Sequence, residues 1–168
     1  MALATFKAWA VTAGFTVVGL IALYLAPRSL VLVPQVLFYA VLILNTFYSV
    51  RFFHRIQPVY VSQALVDIVL VVVYTILAFA FGHALLFSYM ALWVFLIAPV
   101  KYTLMLNHTP HTGALKQKIL IDLLGTGFMA LVLGIFLAGY VLTSAWLLAI
   151  VFALANVYFL FMRPMYRL

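Results

Sequence analysis

Residues Val66 to Phe81 read VDIVLVVVYTILAFAF, a run whose apolar side chains fall on every side with no alternation of period two. A lipid-exposed barrel strand would alternate, so this run is helical. Similar runs recur along nearly the whole chain. In hydrocarbon only a helix of roughly 20 residues or a closed barrel satisfies its own backbone, and the barrel is excluded by pattern. The expected fold is therefore all-α, a polytopic transmembrane bundle forming a single domain over residues 1–168.

Composition agrees. The 168 residues are 70% hydrophobic and 7% charged, with a mean hydropathy of +1.31. Soluble domains carry about a quarter charged residues. The net charge of +7 would suggest a nucleic-acid partner in a soluble protein, but here the charges sit between spans and report topology. With no cysteine, disulfides, thiolate metal sites and cysteine nucleophiles are excluded. The first apolar run has one basic residue before it and no small-residue cleavage site after it, so it reads as a first span and not as a removed signal.

Working outward from Val66, six spans are expected. The first covers residues 8–26 and turns at Pro27-Arg28. The second starts near Leu30 and ends around Val50. The third, 62–81, meets the fourth at Gly82-His83, and the fourth reaches Pro99 and Lys101. A long loop follows, then a fifth span from Ile119 interrupted by Gly125 and Gly127, and a sixth from Leu142 to Met162. Six spans arranged as three antiparallel hairpins put both termini on one side. Lys7, Arg51, Arg55, Lys101, Lys116, Lys118, Arg163 and Arg167 share that side, and only Arg28 lies opposite. Basic residues in short loops are retained in the cytoplasm, which predicts an N-in, C-in protein of a bacterial inner membrane.

The turns at Pro27-Arg28, Gly82-His83 and Gly139-Tyr140 recur at a spacing of roughly 56 residues, within the range where internal repeats are sought. The chain can thus be divided into hairpins over 8–50, 62–101 and 119–162, with Asp67 and Asp122 at matching positions. Thr12 or Ala13 stands where the first hairpin would need an acid.

Asp67 and Asp122 are the only acids. Ionisable groups inside a span are costly and therefore candidate functional groups. Counted from the expected helix starts, both lie within roughly 10 Å of the cytoplasmic boundary. There they can serve as cation- or proton-binding carboxylates in a cytoplasm-facing cavity, or as interfacial ion pairs with Arg51, Arg55, Lys101 or Arg163. Asn45, Asn156, Gln63, Thr126 and Lys101 fall at comparable depth, so the polar groups gather in one half of the bundle. A pore would need polar lining through both halves, whereas a vestibule needs only one. The candidate polar or ion site is Asp67, Asp122, Asn45, Asn156 and Lys101.

His54, His108 and His111 occupy the same-side loops, and His108 and His111 have a spacing that can bind metal. Without thiolates or further acids they do not define a site, and no metal or cofactor is expected. Nor is an enzyme, since no nucleophile stands beside a base and no paired carboxylates occur. Gly14 and Gly19 in the first span and Gly125, Gly127 and Gly134 in the fifth suggest close packing of those two spans, or of one of them on another subunit. Tyrosines and tryptophans near span ends, Tyr102 among them, read as an interfacial belt. The function expected is a non-enzymatic membrane protein that binds or transports a small solute, ion or lipid, as a homo-oligomer in the bilayer. The alternative is an accessory or scaffold subunit beside other membrane proteins.

Overall fold

A computed structural model describes residues 2–54, 60–108 and 112–162. These form six long helices: α1 (Ala2–Leu25), α2 (Leu32–Phe53), α3 (Val61–Phe79), α4 (Ala84–Leu106), α5 (Thr112–Leu137) and α6 (Val141–Val157), the last continued by a wide π-helical turn, Tyr158–Met162. Six stretches are long and apolar enough to cross a membrane, and no strand occurs among the described residues.

Several boundaries differ from the expectation, all for one reason. Hydropathy marks where hydrocarbon would end, whereas the hydrogen-bonded ladder runs on through polar residues. Helix α4 continues past Lys101 to Leu106, and α5 begins at Thr112 instead of Ile119, so Lys116 and Lys118 are helical. Asp122 therefore sits ten residues into its helix, about 15 Å along it. Gly125 and Gly127 do not interrupt α5.

Each helix packs against two neighbours, and the order around the bundle is α1, α3, α4, α5, α6, α2 and back to α1. Sequence order is thus kept except that α1 stands between α2 and α3. The middle of the ring is filled over part of its length by aromatic rings. Phe38 of α2, fully buried, has its ring centroid 5.7 Å from Phe87 and 6.3 Å from Phe95 of α4, and 4.6 Å from Phe152 of α6. Such offset and edge-on contacts add about 0.5–1.5 kcal/mol each beyond simple burial. Beside this plug, the buried Gln35 accepts a 2.7 Å hydrogen bond from the Gly82 amide. Gly82 has φ +82°, and a side chain there would meet the Pro27 carbonyl, so the α3–α4 turn can press against the α1–α2 turn only with glycine.

Proline in α4 shapes another contact. Pro99 has no N–H for the Phe95 carbonyl four residues back. The Thr126 hydroxyl of α5 stands 2.9 Å from that oxygen and 3.0 Å from the Asp122 carbonyl, the kind of substitution that makes proline tolerable in a spanning helix. Gly125 beside it lets the Phe95 ring approach to where a Cβ would lie only 2.7 Å away. The expected packing of α1 on α5 through their glycines is not found: Gly19 receives Tyr39 of α2, Gly125 receives Phe95 of α4, and Gly14, Gly127 and Gly134 meet nothing within 4 Å.

Candidate functional site

On one side of the aromatic plug the ring encloses a cavity of about 740 Å³. All six helices contribute: the N-terminal parts of α1, α3 and α5, and the C-terminal parts of α2, α4 and α6. Its floor is Phe95, Phe152 and Leu42. A second hydrophobic cluster, Phe52, Phe53, Tyr102, Met105 and Leu115, covers the α2, α4 and α5 side of the polar end. The lining residues left well exposed lie mainly on α1 and α3, namely Lys7, Ala10, Tyr60, Ala64 and Val71, with Leu124 on α5. The cavity therefore opens at the α1–α3 seam.

Asp67, Asp122, Asn45, Asn156 and Lys101 all line this space, as do Gln63, Lys118 and His54. The two acids each meet a lysine. Lys101 Nζ lies 2.7 Å from Asp67 Oδ1, a half-exposed pair between α4 and α3. Lys118 Nζ donates to Asp122 Oδ1 at 2.7 Å, one turn along the same helix, and here both residues are 5% exposed. Both ammonium groups also stand against the Tyr102 ring, 6.0 Å from its centroid for Lys101 and 5.5 Å for Lys118. Tyr102 is thus not part of an interfacial belt; it is buried between the two ion pairs because α4 continues past Lys101 and carries it inward.

Two buried polar groups on this surface keep unused capacity. Gln63 is 2% exposed, and neither its Oε1 nor its Nε2 has a hydrogen-bond partner among the described residues. Asp122 Oδ2 likewise has none. An unmade hydrogen bond on a buried group costs about 1–3 kcal/mol, so such atoms are rarely retained without use. Asn156, by contrast, is turned back on its own helix, its Nδ2 donating to the Phe152 carbonyl at 2.8 Å.

On every helix the charged and amide side chains stand toward one end of the cavity, an end that Val50, Phe53, Phe159 and Leu160 also line. Lys7 on α1 gives way to Val11 and Phe15, and Gln63 and Asp67 on α3 to Leu70 and Tyr74. Lys118 and Asp122 on α5 give way to Phe128. In the opposite chain sense, Lys101 on α4, Asn156 on α6 and Asn45 on α2 give way to Phe95, Phe152 and Leu42. The result is a compartment with one polar end and one apolar end.

The histidines do not converge. His54 is at the rim, His108 stacks on Tyr60 with centroids 4.4 Å apart, and His111 lies outside the described residues. No group of three metal-ligating side chains occurs among the described residues. Arg55 and Arg163, considered as partners for the acids, also lie outside them, and Arg51 is exposed. Lys7, Tyr60, Phe95 and Phe152 are lining residues that no motif or spacing singles out; only the helix order brings them together.

His54 follows the last turn of α2 and is half-buried. Burial first, and the Lys7 ammonium second, hold its imidazole below the ordinary value of 6.5. The folded protein therefore favours neutral His54. Its contribution to stability is complete above the unfolded value and is lost as pH falls through the lower folded value. We expect the His54 ring resonances, followed by NMR in nanodiscs, to titrate below 6.5 and to move upward in Lys7→Met. An unchanged midpoint would remove Lys7 as a cause.

Comparison with protein-family models, with curated proteins and with solved structures finds no match for this chain.

Proposed function

We propose that this chain is a non-enzymatic integral membrane protein that binds or moves a small solute, ion or lipid through the cavity, working as an oligomer. One observation carries the reading: both acids, with their lysines, and Gln63, unpartnered among the described residues, line a single cavity of about 740 Å³. That volume is in the range of ordinary ligand pockets, about 300–1,000 Å³. The aromatic plug makes one subunit a vestibule and not a pore, so movement of a ligand would require the plug to rearrange.

The six spans are proposed to form three antiparallel hairpins with both termini in the cytoplasm, the second and third hairpins being repeats that carry Asp67 and Asp122. The support is the gathering of Lys7, Arg51, Lys101, Lys116 and Lys118 toward the helix ends on the polar side of the cavity, with Arg28 at the other end. On this reading the polar end of the cavity lies toward the cytoplasm, and a bacterial inner membrane is the setting.

A second reading, an accessory subunit within a larger membrane complex, draws on a different feature. Gly127 and Gly134 are exposed two turns apart on α5 and meet nothing in this chain. Small residues of this kind mark helix interfaces in lipid.

The two readings separate in one experiment. Purified protein in nanodiscs is screened for thermal stabilisation by inorganic ions, small polar solutes and single-chain lipids; a ligand at a hundred times its Kd stabilises by about 2.7 kcal/mol. Any stabilising ligand is expected to bind at least one of the Asp67→Asn and Asp122→Asn proteins, shown to be folded, at least about tenfold more weakly. Folded variants that bind with undiminished affinity would remove the cavity from the proposal and leave the accessory reading.

A further inference from the structure

We infer that the ligand of this cavity is a single-chain amphiphile with an uncharged, hydroxyl-bearing head group. The inference rests on the solute-binding reading and gives its chemical class. Three observations fix that class.

The first is shape. The charged and amide side chains stand toward one end of the cavity on all six helices and none lines the other end, so the occupant must have a polar end and an apolar end. The apolar part is short: between Asp67 and Tyr74 helix α3 rises about 10 Å. That length and the cavity volume suit one modest alkyl chain and not the two long chains of a membrane phospholipid.

The second is hydrogen-bonding capacity. Among the described residues that line the cavity, and apart from the Asp67–Lys101 pair, the buried atoms without a hydrogen-bond partner are Gln63 Nε2, a donor, and Gln63 Oε1 and Asp122 Oδ2, both acceptors. These atoms have almost no surface open to the cavity as the side chains stand, so a rotation of Gln63 and Asp122 presents them to the ligand, which must then bring two donors and at least one acceptor. A carboxylate or a phosphodiester offers acceptors alone. Neighbouring hydroxyl groups offer both.

The third is charge. Around the cavity three ammonium groups, Lys7, Lys101 and Lys118, stand with two carboxylates, and His54 is held toward its neutral form. An alkylammonium head would enter a site already in positive excess. The two inner lysines are each engaged by an acid at 2.7 Å, so an anionic head would have to displace a carboxylate to reach them. A neutral head disturbs neither pair. Entry is available where the lining is exposed, at the α1–α3 seam beside Ala10 and Ala64, a place an amphiphile already in the membrane can reach.

The test uses the full chain in phosphatidylcholine nanodiscs and radiolabelled decyl glycerol ether as probe, with empty nanodiscs subtracted. Saturable binding is expected, displaced by unlabelled decyl glycerol ether at least about tenfold better than by decanoate or decylamine, and not by glycerol. Gln63→Leu, which removes two of these three atoms without breaking any hydrogen bond among the described residues, should weaken binding about tenfold and leave the protein at least as stable as before. Leu70→Trp, which fills the apolar end, should shift preference from decyl to hexyl glycerol ether. Tighter binding of decanoate or decylamine overturns the head-group assignment while the cavity remains a lipid site. Displacement by glycerol as effective as by the decyl ether overturns the amphiphile. If none of these probes binds while an ion or polar solute stabilises the protein in the wider screen, the class is wrong and the binding function stands; if nothing in that screen binds, the function fails as well.

Discussion

Replacing Asp122 by leucine is expected to destabilise the protein by about 3–5 kcal/mol, because it leaves the Lys118 ammonium buried without its carboxylate. The pair itself contributes far less than that figure. Two charges taken out of water recover only part of their desolvation from mutual attraction, so exchanging both for apolar residues is often neutral or stabilising by about 1–4 kcal/mol. The double variant Lys118→Met/Asp122→Leu should therefore recover most of what the single variant loses. Unfolding by SDS titration in mixed micelles measures all three proteins. A single variant within about 1 kcal/mol of the parent would mean that Lys118 finds water or another acceptor and that the site is wetter than its geometry implies. If the double variant is stable but no longer binds ligand, the pair has been kept for function at the expense of stability.

Phe38→Ala is the other large effect. The ring is fully buried and touches Phe87, Phe95 and Phe152 from two other helices, so its loss opens a void that no single neighbour can fill. Unfolded helices remain in an apolar environment in lipid, so little of the cost comes from transfer and most from lost packing. About 3 kcal/mol is expected by the same SDS titration, and about 1 kcal/mol or less for Phe38→Met, which roughly restores the volume. Phe95 and Phe152 form the cavity floor, so Phe38→Ala should also let longer alkyl probes bind. Equal losses for alanine and methionine would show that ring stacking, not volume, holds the plug.

The spans were legible because length and hydropathy alone set them. The helix ends were not. Lys116, Gln117 and Lys118 interrupt hydrophobicity and so read as loop, yet the spacing of Lys118 and Asp122 by one helical turn was a readable sign that the helix already runs through them. Lys101 and Asp67 offered no such sign, since their meeting depends on how α3 and α4 pack. Counting residues from the expected helix starts placed Asp67, Asp122, Asn45, Asn156 and Lys101 at similar depth, and the structure sets all five on one cavity. Tyr102 was misread because tyrosine near a span end ordinarily faces the interface, whereas here the helix outlasts the span. The cavity as a shape could not be read at all, because it depends on the position of α1 between α2 and α3.

That position has a consequence during synthesis. Helix α2 leaves the ribosome early, but one of its two packing partners is α6, near the end of the chain. At about 5–20 residues per second, the protein spends on the order of ten seconds with Gln35 and Phe38 waiting in the bilayer for their final neighbours. Until α3 and α4 follow, α1 is the companion α2 has, so the first two helices act as an internal escort for the unfinished chain. Premature termination anywhere before α6 would leave the Phe38 face open and mark the product for quality-control proteolysis.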